Sequence, residues 1–461
     1  VKLVKRSWLF RIFAILALLF ISAIMLGYQT GIVNRMDNLW PRIAVSSLMP
    51  FCNTYFYNIA QSVIVVFLAG SFLKRDKKLD TAEVIYVRPM SNADYIVGKT
   101  WGIVKVFITL NIITLLFTAF LNILINKSPF DLFPYLFYLL TISVPSLLFV
   151  LGLSFTAMCI LKNQAVTFIV MLGIIGTVFF YLTDTLYGVF DFFGVNIPAI
   201  FSDVTGHADL RLFLLQRFSY LLAGIGLISM TIALVKRLPH KPWKIAVVYT
   251  FSSLFLLAAC LGGLLYILHY NHQLDLRNQY ITTFDKYADA PHVDLLVNDL
   301  SVTPRGDRLA GKSTVKVVNN NTEVLDKIIF YLNPELTVTS VEMAGKNLLF
   351  RRDHQVIEVD QPIQQQEELT LTINYEGKIS ENICYTDVLT EDYLDTKVPQ
   401  VFWRFGKRYA WLSNTFTLLT PECIWYPVTI APVNPGAPYN VRKNFTDYTL
   451  TCLLYTSDAA D

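Results

Sequence analysis

Residues 245–268 read IAVVYTFSSLFLLAACLGGLLYIL, from Ile245 to Leu268, without a charged side chain, and the stretch that follows, HYNHQLDL from His269, is ordinary in polarity. A helix needs about 20 apolar residues to cross hydrocarbon. The run therefore predicts a membrane span, and Tyr270 marks a boundary between two chemically different halves. Upstream lie six further runs of this kind: Trp8–Gly27, Phe51–Leu73, Trp101–Leu121, Leu136–Leu161, Ala165–Leu182 and Phe218–Val235. Runs this long satisfy their backbone groups in lipid only as helices. In the last span Ala258 and Gly262, and Ala259 and Gly263, form small-residue stripes that predict close helix packing.

The composition agrees with this division. Of the 461 residues 54% are hydrophobic and only 16% charged, at a mean hydropathy of +0.46. Soluble domains carry about 25% charged residues. The deficit is confined to residues 1–270. A net charge of +3 gives no case for a nucleic-acid partner. The chain opens on Val1, and no small-residue cleavage site follows the first apolar run, so that run reads as a first span rather than a signal peptide. Arg11 and Lys105 lie near span ends, where long side chains reach the interface.

Basic loops set the orientation. Lys2, Lys5 and Arg6, then Lys74, Arg75, Lys77, Lys78, Arg88 and Lys99, then Lys162, then Lys236, Arg237, Lys241 and Lys244 fall in alternate loops. The other set holds Arg35, Arg42 and Lys127, then Arg211 and Arg217 among Asp184, Asp191, Asp203 and Asp209. The first set reads as cytoplasmic. An odd number of spans then leaves everything beyond Tyr270 outside the cytoplasm.

Between the second and third spans, Asp80 and Glu83 have N-cap and N3 spacing, which predicts a short helix to about Val87, ended by Pro89. Ser91 and Asp94 repeat that spacing at the start of the third span. A charged helix between two spans suits docking, and a solvated positive-inside loop fits the pattern equally. The order of basic residues, Thr81-Ala-Glu83, Pro89-Met-Ser91 and Gly98-Lys99 resembles the ABC-2 type permease family over residues 1–237. That resemblance implies a coupling helix that binds a separate ATPase subunit through Asp80, Thr81, Glu83 and Arg88 of the 74–95 loop. It also implies a dimer or a second permease half.

Thr54, Asn58, Gln61 and Ser62 share one face of the second span. Polar side chains there turn toward other helices or toward a water-filled path, and both readings stand.

Beyond a 271–290 tether the period becomes two. Thr314–Val317 and Glu368–Tyr375 alternate, and Val293–Val297, Ile328–Leu332, Thr337–Met343, Leu348–Phe350 and Val356–Val359 also read as strands. Ala344-Gly345 and Glu376-Gly377 carry turn chemistry. Short strands with polar turns predict an all-β, sandwich-like domain. Gly306-Asp-Arg-Leu-Ala-Gly-Lys-Ser313 fits the phosphate-binding loop pattern, but Ser301-Val-Thr-Pro precedes it and Thr314–Val318 continues as strand where a helix would be needed, so it reads as a hairpin turn. Cys52, Cys159 and Cys260 lie in apolar runs as small core residues. Cys384 and Cys423 lie in the polar half, where an oxidising compartment permits pairing.

Pro291–Val297, Asp307–Val317, Leu332, Val341, Ile373–Gly377, Trp425-Tyr-Pro427 and Asn444–Leu450 together resemble the N-terminal β-domain of aminopeptidase N type zinc peptidases, over residues 290–451. The family's zinc motif, His-Glu-x-x-His, is absent from this sequence, as is its Gly-x-Met-Glu-Asn strand: none of the six histidines is followed by Glu. His269 and His272 read as interfacial anchors. Cys452–Asp461 breaks the last strand pattern and reads as an artefactual tail on a truncated chain.

The sequence thus predicts an α-helical polytopic bundle of about seven spans followed by an extracytoplasmic all-β domain. The parts are a permease domain over 1–237, an added helix over 238–270, the tether, a β-domain over 291–451 and the tail. The expected role is a bacterial inner-membrane permease subunit of an ATP-driven transporter, with no cofactor, no metal and no catalytic site of its own. The alternatives are a membrane-anchored peptidase whose catalytic part is missing, or a peptide-binding sensor.

Overall fold

The computed structural model describes residues 6–30, 46–75, 90–125, 129–183, 185–194, 197, 201–202, 206–207, 209–235, 242–390, 408–430 and 445–452. The chain forms two compact units that part between Tyr270 and Asn271.

The first unit is helical. Its helices are α1 (Trp8–Thr30), α2 (Leu48–Arg75), α3 (Asn92–Ile125), α4 (Leu132–Leu161), α5 (Gln164–Leu182), α6 (Leu210–Leu234) and α7 (Pro242–Tyr287). Among the described residues these seven are long and apolar enough to cross a membrane. Helix α3 starts earlier than its apolar run because Ser91 and Asp94 cap it reciprocally. The Asp94 N–H donates to Ser91 Oγ (3.1 Å) and the Ser91 N–H to Asp94 Oδ2 (3.0 Å). In α4 the turn Leu139–Ser143 widens to a π-turn. Pro145, two residues on, has no N–H to return to the preceding turn, which relaxes the ladder there. Between α4 and α5, Lys162 takes a left-handed conformation (φ 57°) and Asn163 Oδ1 caps α5 by accepting from the Ala165 N–H at 2.9 Å.

Leu16, Leu19 and Phe20 on α1, Trp101, Leu116 and Phe120 on α3, and Leu254, Leu257 and Leu261 on α7 point outward and are exposed. Arg11 and Lys105 are exposed too. Within the unit, Val65, Phe107, Leu151 and Phe155 form an apolar core. Helices α4 and α6 approach backbone to backbone at Gly152 and Gly224: a Cβ on Gly224 would lie 2.7 Å from the Leu148 carbonyl carbon and the Phe149 nitrogen. Gly262 of α7 leaves room for the Ser219 side chain of α6, a use of one of the expected small-residue stripes.

The second unit is rich in sheet. A six-stranded sheet runs in the order β13 (Asp447–Cys452), β3 (Asp294–Arg305), β4 (Arg308–Val318), β10 (Glu368–Gly377), β6 (Leu336–Met343), β7 (Lys346–Asn347). A three-stranded sheet, β5 (Ile328–Tyr331), β9 (Val356–Val359), β8 (Phe350–Asp353), shares a core with it. Leu300, Val302, Val315, Leu371 and Ile373 from the larger sheet meet Ile328, Phe330, Ile357 and Val359 from the smaller. Two short pairs complete the strands: β1 (Phe201–Ser202) with β2 (Gly206–His207) in the first unit, and β11 (Ala410–Leu412) with β12 (Thr417–Leu419) in the second.

Three details differ from expectation. Residues 271–287, expected as tether, continue α7, and Arg277, Tyr280 and Tyr287 on that extension are buried in the second unit. The expected strand Leu348–Phe350 falls across the gap between β7 and β8. Gly377 is the last residue of β10 rather than a turn, and a side chain there would run into the Glu335 carbonyl. Ala344 and Gly345 (φ 48° and 78°) do form a two-residue hairpin turn.

Candidate functional site

The helical unit holds its polar side chains inside. Thr54, Asn58, Gln61 and Ser62, the expected polar face of α2, are all buried. Asn58 Nδ2 donates to Ser146 Oγ of α4 (3.2 Å) and to the Phe193 carbonyl (2.8 Å). Gln61 Nε2 donates to Asn58 Oδ1 (2.6 Å) and to the Ser143 carbonyl (3.4 Å) in the π-turn. Ser62 Oγ returns its hydrogen bond to the Asn58 carbonyl of its own helix, at 2.7 Å. The Thr54 hydroxyl is buried with no hydrogen-bond partner.

Side chains outside that expected set continue the seam. Asn53 Nδ2 donates to Thr118 Oγ1 of α3 (2.7 Å) and accepts from Thr114 Oγ1 (3.3 Å). Asn111 Nδ2 donates to Ser143 Oγ (2.7 Å). Asn111, Thr114 and Thr118 recur at helical spacing on α3, a signal of the kind that marks α2.

The largest departure is Arg217. Its expected place is an extracytoplasmic loop, because Phe218 opens the apolar run. Helix α6 instead begins at Leu210, and Arg217 is 1% exposed. Its Nη2 donates to the Asp191 carbonyl (2.8 Å), Nη1 to the Phe192 carbonyl (3.2 Å) and Ser146 Oγ (3.4 Å), and Nε to Gln216 Oε1 (2.6 Å). Gln216 Nε2 donates to the carbonyls of Gly188 and Asp191, each at 3.0 Å, and the Tyr220 hydroxyl to that of Val189 at 2.7 Å. The 185–194 segment can present so many carbonyls because its backbone turns tightly. Leu186, Tyr187, Gly188 and Gly194 have φ of 49°, 61°, 81° and 76°. A side chain on Gly194 would overlap the Arg217 guanidinium, so glycine is required there both for φ and for space.

A buried guanidinium needs its donors satisfied and a counter-dipole. Here the carbonyls of Asp191 and Phe192 and the side chains of Ser146 and Gln216 accept from it, and the buried Asp191 carboxylate acts on its charge. The arrangement holds the Arg217 guanidinium, the buried Asp191 carboxylate, whose Oδ1 accepts from the Gly194 N–H at 3.0 Å, and a file of amides and hydroxyls between α2, α3, α4 and α6. It can bind polar groups, relay hydrogen bonds and lock helices. Nearby, His207 is buried against the rings of Phe201 and Phe213, with centroids at 5.0 and 4.9 Å, and neither ring nitrogen has a partner. Burial pulls its pKa down to about 4.

Asp80, Thr81, Glu83 and Arg88, expected to contact an ATPase, lie outside the described residues.

In the second unit the 306–313 stretch forms the β3–β4 turn, with Gly306 at φ 60°, and the first half of β4. Ser313 is buried and donates to Asn298 Oδ1 at 2.6 Å. A cleft of about 970 Å³ opens between the end of β3 (Val302, Arg305), the β11–β12 hairpin (Phe416, Leu419) and Trp425. The Trp425 indole N–H is buried without an acceptor. Among the described residues no group of three His, Cys, Asp or Glu side chains is placed to hold a metal.

No protein-family model matches the sequence, and no curated protein matches it. Solved structures with some likeness include an M1 zinc metallopeptidase from Deinococcus radiodurans, at 24% identity and a TM-score of 0.18, over 19% of this chain and 21% of that one. A two-domain M1 zinc metallopeptidase bound to L-tryptophan matches at 26% identity with the same TM-score and coverage. Leukotriene A4 hydrolase from Saccharomyces cerevisiae matches at 15% identity and a TM-score of 0.16, over 19% of this chain and 15% of that one. The chain spans about a fifth of the length of the first two.

Proposed function

We propose that the chain is a polytopic membrane protein of the permease kind, with its N-terminus cytoplasmic and its β-domain extracytoplasmic. The seam between α2, α3, α4 and α6 is the part that handles cargo or gates its path. The single observation behind this reading is the inverted polarity of the helical unit. Its outward faces are Leu, Ile, Phe and Trp, while Arg217, Asn58, Gln61 and Asn111 are inside. Soluble proteins rarely expose apolar patches beyond a few hundred Å², and ionisable groups inside membrane helices mark function more often than structure. The loop pattern around Asp80, Thr81, Glu83 and Arg88 supports an ABC-type permease that docks a separate ATPase. The test is co-purification with that ATPase. Reversing the charges of Glu83 and Arg88 together should abolish the complex; an intact complex refutes the coupling assignment.

A second reading concerns the β-domain alone. The cleft beside Trp425 is lined by Arg305, by the polar residues Ser413, Asn414 and Thr415, and by apolar residues such as Phe416 and Leu419, a mixture suited to an extended peptide. Titration with short peptides should shift tryptophan emission, and Trp425→Phe should abolish the shift. An unchanged response in that variant removes Trp425 from the site.

A further inference from the structure

Two thiols far apart in sequence meet inside the second unit. Cys384 Sγ and Cys423 Sγ lie 3.4 Å apart, and both residues are fully buried. Neighbouring contacts hold each backbone. Arg277, on the extension of α7, donates from Nη1 to the Cys384 carbonyl (2.6 Å) and from Nη2 to those of Tyr385 (2.7 Å) and Val388 (2.9 Å). Asn333 Nδ2 donates to the Cys423 carbonyl (2.7 Å) and to that of Ser380 (2.9 Å). The two sulfurs therefore lie about 1.4 Å beyond bonding distance, inside a backbone that these contacts hold in place. Residues 385–422 between them include the β11–β12 hairpin, one wall of the Trp425 cleft.

We propose that Cys384 and Cys423 are joined by a disulfide that closes a covalent ring around this cleft-lining hairpin. The proposal rests on the reading that places the β-domain outside the cytoplasm, where disulfides persist. The two thiols lose two protons and two electrons as the S–S bond forms. The electrons pass to a protein disulfide oxidant by thiol–disulfide exchange, and its own disulfide is reduced to a dithiol. Burial pushes the Cys384 thiol up and away from thiolate. Exchange therefore occurs while the domain folds, and the finished bond resists reduction.

The experiment uses the full chain in its own membrane. Cells are quenched in acid, the protein is denatured, and free thiols are blocked with N-ethylmaleimide. Disulfides are then reduced and labelled with iodoacetamide before peptide mapping. Cys384 and Cys423 should both carry the second label, and an unreduced digest should yield their two peptides linked. Blocking of both by the first reagent overturns the proposal. In parallel, spheroplasts are treated with a membrane-impermeant amine reagent, and modification of the exposed Lys346 is scored. Lys346 labelled with both thiols free overturns the disulfide and leaves the orientation standing. Lys346 unlabelled with both thiols free overturns the disulfide and the orientation together.

Discussion

Gly194 and Arg217 form one lock, and a double-mutant cycle should expose it. Arg217→Ala removes a buried guanidinium that binds two backbone carbonyls and two side chains. Breaking a buried charged network of this kind costs about 3–5 kcal/mol. Gly194→Ala places a methyl group at φ 76° against that guanidinium and 2.9 Å from Ile142 Cγ2. The backbone term is about 1 kcal/mol, and the overlap adds about 1–3 kcal/mol. With Arg217 truncated, the overlap with the guanidinium vanishes, while the backbone term and the Ile142 contact remain. Gly194→Ala should then cost about 1–2 kcal/mol less than in the native background, a coupling of the size seen for residues in contact. At about 2–4 °C per kcal/mol for a unit of this size, the difference is a few degrees in Tm. The readout is thermal unfolding in detergent, followed through labelling of the buried Cys52 by a thiol-reactive fluorophore, with the other cysteines replaced by alanine. Strictly additive melting shifts would refute the lock.

Other consequences follow from single sites. Arg277→Ala leaves the carbonyls of Asn382, Cys384, Tyr385 and Val388 without their donor; at about 3 kcal/mol or more, amide exchange across 380–390 should quicken roughly a hundredfold while β4 and β10 stay protected. His207, buried and neutral with its pKa lowered to about 4, contributes stability that is complete above pH 6.5 and declines as pH falls toward 4. His207→Phe should therefore flatten the fall in Tm over that window, and an unaltered pH profile would exclude His207 as its source. Gly224→Val drives a side chain into the α4 backbone at Leu148 and Phe149 and should cost about 3 kcal/mol, read as loss of monodisperse protein on size exclusion. Glu358 accepts from the Tyr287 hydroxyl (2.6 Å) and from Lys327 Nζ (2.9 Å), contacts that hold its pKa below 4.5. Its contribution is present above that value and lost as pH falls through the lowered one, so Glu358→Gln should reduce the acid sensitivity of the β-domain's unfolding.

The long elements were legible because one local rule decides each of them. A run such as Leu136–Leu161 has no alternative to helix in lipid, and Glu368–Tyr375 alternates so regularly that only a half-buried strand accommodates it. The Ser91–Asp94 cap could be read for the same reason, since a capping box is complete within four residues. Boundaries were harder wherever polar residues continue a helix. Leu210–Arg217 and Asn271–Tyr287 lack the hydropathy that defines a span, yet both are helical, and Gln216, Arg217 and Arg277 within them find backbone acceptors inside the protein.

Arg217 shows why the candidate site was only half visible. An arginine at the edge of an apolar run reads as a loop charge under the positive-inside rule, since that rule weighs position and ignores partners. Arg217 is met by the carbonyls of Asp191 and Phe192 beside the buried Asp191 carboxylate, in a segment whose tight turns carry Leu186, Tyr187, Gly188 and Gly194 at positive φ. No pattern of side chains encodes a carbonyl's direction. Asn58 and Gln61 were findable because their own side chains break the hydropathy of α2. Arg217 and its carbonyl cradle emerge only when the loop is folded, and the same holds for Arg277 over residues 382–388. In both units a buried arginine gathers backbone oxygens from an irregular segment. Such segments cannot pair their own backbone groups in a ladder, so a guanidinium, with five donors in one plane, is the side chain best suited to satisfy several of them at once.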